Sequence, residues 1–374
     1  MALGAGPVLE AGNMKGHAME LNERLETYLA RIEPLKTEFL NAAQQRLDNL
    51  TKPRGSLGRL EEFAKRYVAI KGNLHPRIDH KTILTLAGDH GVTEDNVSLY
   101  PREVTPQMVY NFIRQGAAIG VLARFIGARL YVVDMGVDHD FEPMEGLIIK
   151  KIARGTQNMI KGPAMTTEQA LRAIVAGIEV VEIVKNEEVD IIGVGDMGIG
   201  NTTPSSAIIA ALSQTAVKEV TGRGTGLDDK GLAQKIKVIE TSLQVNRPDP
   251  KNPLDVLAKL GGFEIAGITG VTIGAAAHRI PVVADGLIST AGILIATEMS
   301  SKIKEYVFPS HNSVEIGHRV MLDRIGFAPV LDLSMRLGEG TGAALGIQIV
   351  EAAVRIYNEM ATFEEAGVSD REEE

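Results

Sequence analysis

Two periodicities divide the chain. From Met19 to Leu50 the apolar positions Leu21, Leu25, Leu29, Ile32 and Leu35 recur at helical spacings, and Pro34 marks a break. From Thr82 onward short aliphatic runs take over, at 83–87, 130–133, 147–149, 190–194 and 281–284, separated by helix-length amphipathic stretches. Runs that are continuous rather than alternating suit strands buried on both faces, so the pattern predicts βαβ units in an α/β fold, with a mostly parallel sheet flanked by helices. Helices are expected over 105–126, 166–188, 228–245, 286–300 and 341–360. Pro248, Pro250 and Pro253 make 246–253 a rigid connector. No strand follows the last helix, so it is expected to pack back on the first ones. The expected division is a loosely ordered extension over 1–18, a small helical domain from 19–75 plus 336–362, a large α/β domain over 76–335, and an acidic tail over 363–374.

Composition narrows the function classes. A chain of 374 residues buries a substantial core. With 4% aromatics and no Trp, that core is aliphatic. The net charge of −9 argues against a nucleic-acid footprint, and 364–374 carry six acids and one Arg, read as a solvated, mobile tail. Zero Cys excludes disulfides, thiolate nucleophiles and Cys-ligated metal. No apolar run reaches the ~18 residues that span a bilayer, so no membrane partner is expected. Met1 to Gly16 lacks the basic and apolar regions of a signal peptide, which makes the cytoplasm the expected location. Glycine stands out at 39 residues, well above the usual ~7%, without a collagen-like period, and is read as structural punctuation.

Fourteen of these glycines fall in five clusters: Gly55 and Gly58; Gly88 and Gly91; Gly193, Gly195, Gly198 and Gly200; Gly222, Gly224 and Gly226; Gly338, Gly340 and Gly342. Gly193 to Pro204 reads as a strand end, a glycine loop, two hydroxyls (Thr202, Thr203) and a helix start, which suits a phosphate at a helix N-terminus or a plain turn. It is neither a P-loop nor a complete dinucleotide fingerprint. Glu339, flanked by Gly338 and Gly340 before an apolar helix, suits proton abstraction or a helix-start carboxylate. Asp89, His90, Asp138, His139, Asp140, His311 and His318 supply ligand types for a metal, but no compact ligand spacing. Pairing of Asp89 with His90 is the expected arrangement, with no metal. Leu50 to Glu61 serves either as a helix connection or, through Lys52, Arg54 and Arg59, an anionic ligand, and Ser205-Ser206 lacks a nucleophile elbow.

Seven segments in order, Lys52 to Glu61, Ala87 to Val92, Tyr100 to Thr105, Gly195 to Pro204, Gly261 to Ile265, Pro309 to His311 and Arg336 to Gly342, make the chain from about Leu50 to Met360 resemble the nicotinate-nucleotide:dimethylbenzimidazole phosphoribosyltransferase family (CobT). The resemblance implies a homodimer whose subunits join a Rossmann-like parallel-sheet domain to a small helical domain made from both chain ends. It implies transfer of phosphoribose from nicotinate mononucleotide to an aromatic base such as 5,6-dimethylbenzimidazole, without metal or other cofactor. Glu339 matches the family's base. Gly198, Gly200, Asn201, Thr202 and Thr203, with Lys235 and Ser310, fall where the nucleotide is held. Tyr100, Met108 and Leu337 fall where the aromatic base is lined.

Two positions depart from that pattern. Asp196 stands where the family usually has Glu, shortening reach by about 1.5 Å, so a direct bond to substrate becomes a water-mediated one. Asn312 to His318 replaces a more usual Ser-Ala-Glu. Two other classes stay open at this stage: a nucleotide-binding or sensing protein without catalysis, and a metal-dependent hydrolase using Asp89, His90 and His139.

Overall fold

A computed structural model describes residues 8–369. Among them, six strands form one wholly parallel sheet: β1 (Lys81–Gly88), β2 (Ala128–Gly136), β3 (Leu147–Ile149), β4 (Ile191–Met197), β5 (Val282–Ala284) and β6 (Val307–Pro309). Their order is β3-β2-β1-β4-β5-β6. This is the Rossmann order, and its direction reverses between β1 and β4, where open α/β sheets leave a crevice at the strands' carboxyl ends. All five aliphatic runs are strands. β6, Val-Phe-Pro, is the strand that the aliphatic runs did not mark.

Helices Thr167–Lys185, Asp229–Asn246, Leu287–Met299 and Thr341–Glu359 lie where the periodicity puts them. The helix expected over 105–126 is two, Val104–Ile113 and Ala118–Ile126, because Gln115 turns left-handed at φ 57°. Phe263–Ala277 is a helix with no apolar stripe to predict it, since residues 263–276 are all buried. It crosses Thr167–Lys185 at a contact only glycine permits: a Cβ on Gly177 would stand 2.1 Å from the Gly267 carbonyl oxygen, and one on Gly270 1.9 Å from that of Ile174. Part of the glycine excess is therefore helix contact rather than the punctuation expected of it.

The first helix begins at Val8 and ends at Arg31, so residues 8–18 are helical where a loose extension was expected. Residues 1–7 lie outside the described residues. Leu21, Leu25 and Tyr28 bury this helix against Thr167–Lys185 and Phe263–Ala277, and Tyr28 donates to Glu182 at 2.7 Å. After the Pro34 break, Thr37–Asn49 packs on Arg59–Lys71, which packs on Thr341–Glu359. The two chain ends meet there, with the Arg46 guanidinium donating to the Tyr357 carbonyl at 2.8 Å. Thr341–Glu359 also lies on β1, β4, β5 and β6. Phe363–Ala366 is a helical turn with a Thr362–Glu365 capping box. Residues 370–374 of the expected mobile tail lie outside the described residues.

Candidate active site

A cleft of about 700 Å³ opens at the carboxyl ends of β1 and β4. On its floor the segment after the last loop turns back over β4. Gly338, Glu339 and Gly340 take φ values of 85°, 66° and 100° in succession, a left-handed run that costs a non-glycine residue about 1–2 kcal/mol. Four hydrogen bonds hold it. The Thr85 hydroxyl donates to the Glu339 carbonyl at 2.7 Å, Glu339 N–H donates to the Asp196 carbonyl at 3.3 Å, and both Asp285 carboxylate oxygens accept, from Gly340 N–H at 2.8 Å and Gly342 N–H at 2.7 Å. The approach to β4 is so close that a Cβ on Gly195 would sit 2.2 Å from Gly340 N. Gly195→Ala is therefore expected to displace this loop, lowering thermal stability by about 1–3 kcal/mol in denaturation curves and turnover more than either substrate KM.

The Glu339 side chain lines the cleft with 7% exposure. It accepts a hydrogen bond from Ile119 N–H, 3.3 Å from Oε2. The break at Gln115 creates that donor, because it places the first turn of Ala118–Ile126 against the carboxylate. Burial pushes the Glu339 carboxyl above its ordinary range, the Ile119 amide pulls it down, and Asp285 pushes it up again. A carboxylate raised in this way is a stronger proton acceptor than an ordinary one.

Beside Glu339, Asp196 lies one residue before the end of β4 and is pushed well above the ordinary range by burial and by Asp285, with Asn201 opposing and Glu264 and Glu339 adding to the rise. Asn201 Nδ2 donates to Asp196 Oδ2 at 2.9 Å, while Oδ1 has no hydrogen-bond partner. The shorter acid thus fixes the residue that starts helix Thr202–Ser213. Gly198, Gly200, Asn201 and Thr202 line the cleft beside it. Behind Thr202, buried Lys235 donates to its hydroxyl at 2.6 Å. Burial lowers the Lys235 amine to about 8, although Glu315 pulls the other way. Tyr100, Met108 and Leu337 line the remaining wall, and Tyr100 and Leu337 are more than half exposed at its rim.

Three expected residues lie outside the cleft lining: Lys235 behind Thr202, Thr203 and Ser310. Thr203 is wholly buried beneath the helix start. Ser310 is buried with its hydroxyl 3.4 Å from the Asp285 carbonyl, and it is His311, Ser313 and Glu315 of the same segment that reach the cleft. His318, lowered to about 3 by burial and by His311, stays neutral and braces this segment, accepting from Ser313 N–H at 3.1 Å. The expected Asp89–His90 pairing is not formed. His90 Nε2 pairs with Glu264 at 2.7 Å, and Asp89 accepts from Asp138 N–H at 2.8 Å. His139 Nε2 is engaged by the Tyr110 hydroxyl at 2.9 Å, so the trio Asp89, His90 and His139 does not converge on a metal. Among the described residues no group of three His, Asp or Glu is arranged to hold one. Lys52 pairs with Glu61 at 2.8 Å, both buried and outside the cleft lining. Asp285 was missed: one Asp between a three-residue strand and an apolar helix carries no spacing signal.

A family model described as phosphoribosyltransferase matches residues 32–368. The chain is 60% identical over 347 residues to the nicotinate-nucleotide–dimethylbenzimidazole phosphoribosyltransferase of Geobacter sp. strain M21, covering 93% of this chain and 99% of that one. It is 61% identical over 348 residues to the enzyme of the same name from Geotalea uraniireducens strain Rf4, with the same coverage. The crystal structure of CobT from Thermus thermophilus superimposes with a TM-score of 0.86 at 43% identity, over 89% of this chain and 99% of that one.

Proposed function

Because this chain belongs to the nicotinate-nucleotide–dimethylbenzimidazole phosphoribosyltransferase family, we propose that its cleft moves phosphoribose from nicotinate mononucleotide to 5,6-dimethylbenzimidazole or a related aromatic base, giving an α-ribotide and nicotinate for the lower ligand of cobalamin. One benzimidazole nitrogen attacks C1′ on the face opposite nicotinate. The bond from C1′ to the pyridinium nitrogen breaks, a new C1′–N bond forms, and the β configuration becomes α. Pyridinium nicotinate leaves without a proton. The proton that the other benzimidazole nitrogen can no longer hold passes to Glu339.

The observation that carries this assignment is the Glu339 carboxylate, buried on the cleft floor across from the Gly198–Thr202 segment. Thr202 and Lys235 beside the helix N-terminus suit the nucleotide phosphate, and the half-exposed Tyr100 and Leu337 suit a flat base. Holding two reactants in line supplies much of such a rate. Mixing the protein with nicotinate mononucleotide and 5,6-dimethylbenzimidazole is expected to yield α-ribotide by mass spectrometry. No product from several benzimidazoles, purines and phenols overturns the assignment.

A homodimer and a cytoplasmic location go with this reading. Val121 and Phe125, four residues apart on one helix, are 52% and 72% exposed, which supports a partner surface. Sedimentation velocity is expected to give the mass of two chains. Among the described residues no helix is long and apolar enough to cross a membrane, and a phosphorylated substrate does not cross one unaided.

A further inference from the structure

Two of the sequence segments, Ala87 to Val92 and Gly261 to Ile265, place no side chain in the cleft lining. They meet each other instead. His90 follows β1, Glu264 lies in the first turn of Phe263–Ala277, and their side chains pair at 2.7 Å with exposures of 1% and 0%. Glycines close around the pair because it leaves no room for a side chain. A Cβ on Gly262 would stand 2.3 Å from His90 Cε1, and one on Gly88 2.8 Å from Glu264 Oε2. On the cleft side, a Cβ on Gly198 would lie 2.4 Å from the Gly88 carbonyl and 3.2 Å from His90 Nε2. The backbone of the candidate nucleotide loop therefore rests on the edge of the imidazole.

The next two residues of that loop are held from the same side. Ile199 N–H donates to the Thr105 hydroxyl at 3.2 Å. The His90 carbonyl accepts from Thr93 N–H at 3.2 Å and from its hydroxyl at 2.8 Å, and the Thr93 methyl supports Gly200, where a Cβ would come within 2.8 Å. Gly198 thus lies against the His90 imidazole and Gly200 against Thr93, which the His90 carbonyl holds, while Ile199 is held separately by Thr105.

We propose that His90 and Glu264 are a positioning pair, a buried strut that sets the height of the Gly198–Thr202 segment and so the place of the nucleotide in the cleft. The proposal rests on the functional reading above. The two side chains share one hydrogen bond, between His90 Nε2 and Glu264 Oε1. Neither residue touches a substrate, and no proton leaves the pair during turnover.

The test compares Glu264→Ala, which removes the acceptor, with Glu264→Gln, which keeps an oxygen there. Glu264→Ala is expected to raise the KM for nicotinate mononucleotide about tenfold or more, leaving the KM for the base within about twofold. Glu264→Gln is expected to restore the nucleotide KM to within about threefold of wild type, with an unchanged pH profile of kcat. Equal rises in both KM values, an unmoved nucleotide KM, or a shifted pH limb in Glu264→Gln overturns the proposal. If circular dichroism shows Glu264→Ala unfolded, His90→Gln, which removes the imidazole beside Gly198, takes its place with the same expected split, and an unmoved nucleotide KM overturns the proposal. Calorimetric titration with nicotinate mononucleotide alone reads the same loss without turnover. An inactive wild type that still binds the nucleotide counts against the transfer reaction, whereas equal affinity in wild type and Glu264→Ala counts against the strut.

Discussion

Glu339→Gln lowers kcat by about 10²–10⁴, the range a general base contributes, while the Kd for nicotinate mononucleotide stays within about threefold. The amide fills the same volume and can still accept from Ile119 N–H, but it has no lone pair basic enough for a benzimidazolium proton. Rapid-quench turnover and calorimetric titration measure the two quantities. Equal retention of turnover and affinity removes Glu339 from the mechanism, and a wild type with affinity but no turnover returns the chain to the class of nucleotide binders. The pH profile follows from the same geometry. The active form is the carboxylate, and burial together with Asp285 raises its pKa above the ordinary range, so kcat falls as pH drops through that raised value and levels off above it. A carboxyl raised in the folded state stabilises the fold at low pH, a contribution lost as pH rises through the folded pKa. Glu339→Gln, carrying no buried charge, is therefore expected to melt at a higher temperature than wild type at pH above that raised value.

Lys235→Met raises the KM for the nucleotide about 10–100-fold, since a charge-assisted hydrogen bond contributes about 1.5–3 kcal/mol and each 1.4 kcal/mol is tenfold. Met keeps the stem and volume, and kcat at saturating nucleotide is expected to stay within about fivefold. Lys235 is set behind Thr202, whose hydroxyl accepts from it at 2.6 Å. Its amine, lowered to about 8 by burial, is mostly cationic at neutral pH and loses its charge above that value. In wild type the nucleotide KM should accordingly climb as pH passes 8, because the phosphate is already dianionic above its second pKa of ~6. In Lys235→Met the climb should vanish. Initial rates from pH 6.5 to 9.5 distinguish the two, and a parallel climb in both proteins overturns the role given to Lys235.

Pattern alone reached far along this chain because its strands are buried on both faces. A continuous aliphatic run such as 83–87 suits a covered parallel sheet, and five such runs, helices between all but β2 and β3, point to the class. Glycine-rich strand ends likewise marked Gly198, Gly200 and Glu339, since backbone that must approach a ligand or turn left-handed carries its signal in the residue itself. Long-range burial carries no such signal. The Phe263–Ala277 helix lost its stripe because every side of it is covered, and the 105–126 helix divided at a left-handed Gln115 that nothing local requires. Pairing was equally hidden. Neighbours in sequence suggested Asp89 with His90, but consecutive residues at a strand end point to opposite sides, and His90 found Glu264, 174 positions away. The sequence by itself determined a parallel α/β sheet with a carboxylate and a glycine loop at its carboxyl edge. Only the tertiary structure decided that Asp285 holds the Glu339 loop, that Ser313 rather than Ser310 faces the cleft, and that Lys235 stands behind Thr202. Each of these depends on two segments distant in the chain being buried against each other, and their residue types are unremarkable until that burial removes water from between them.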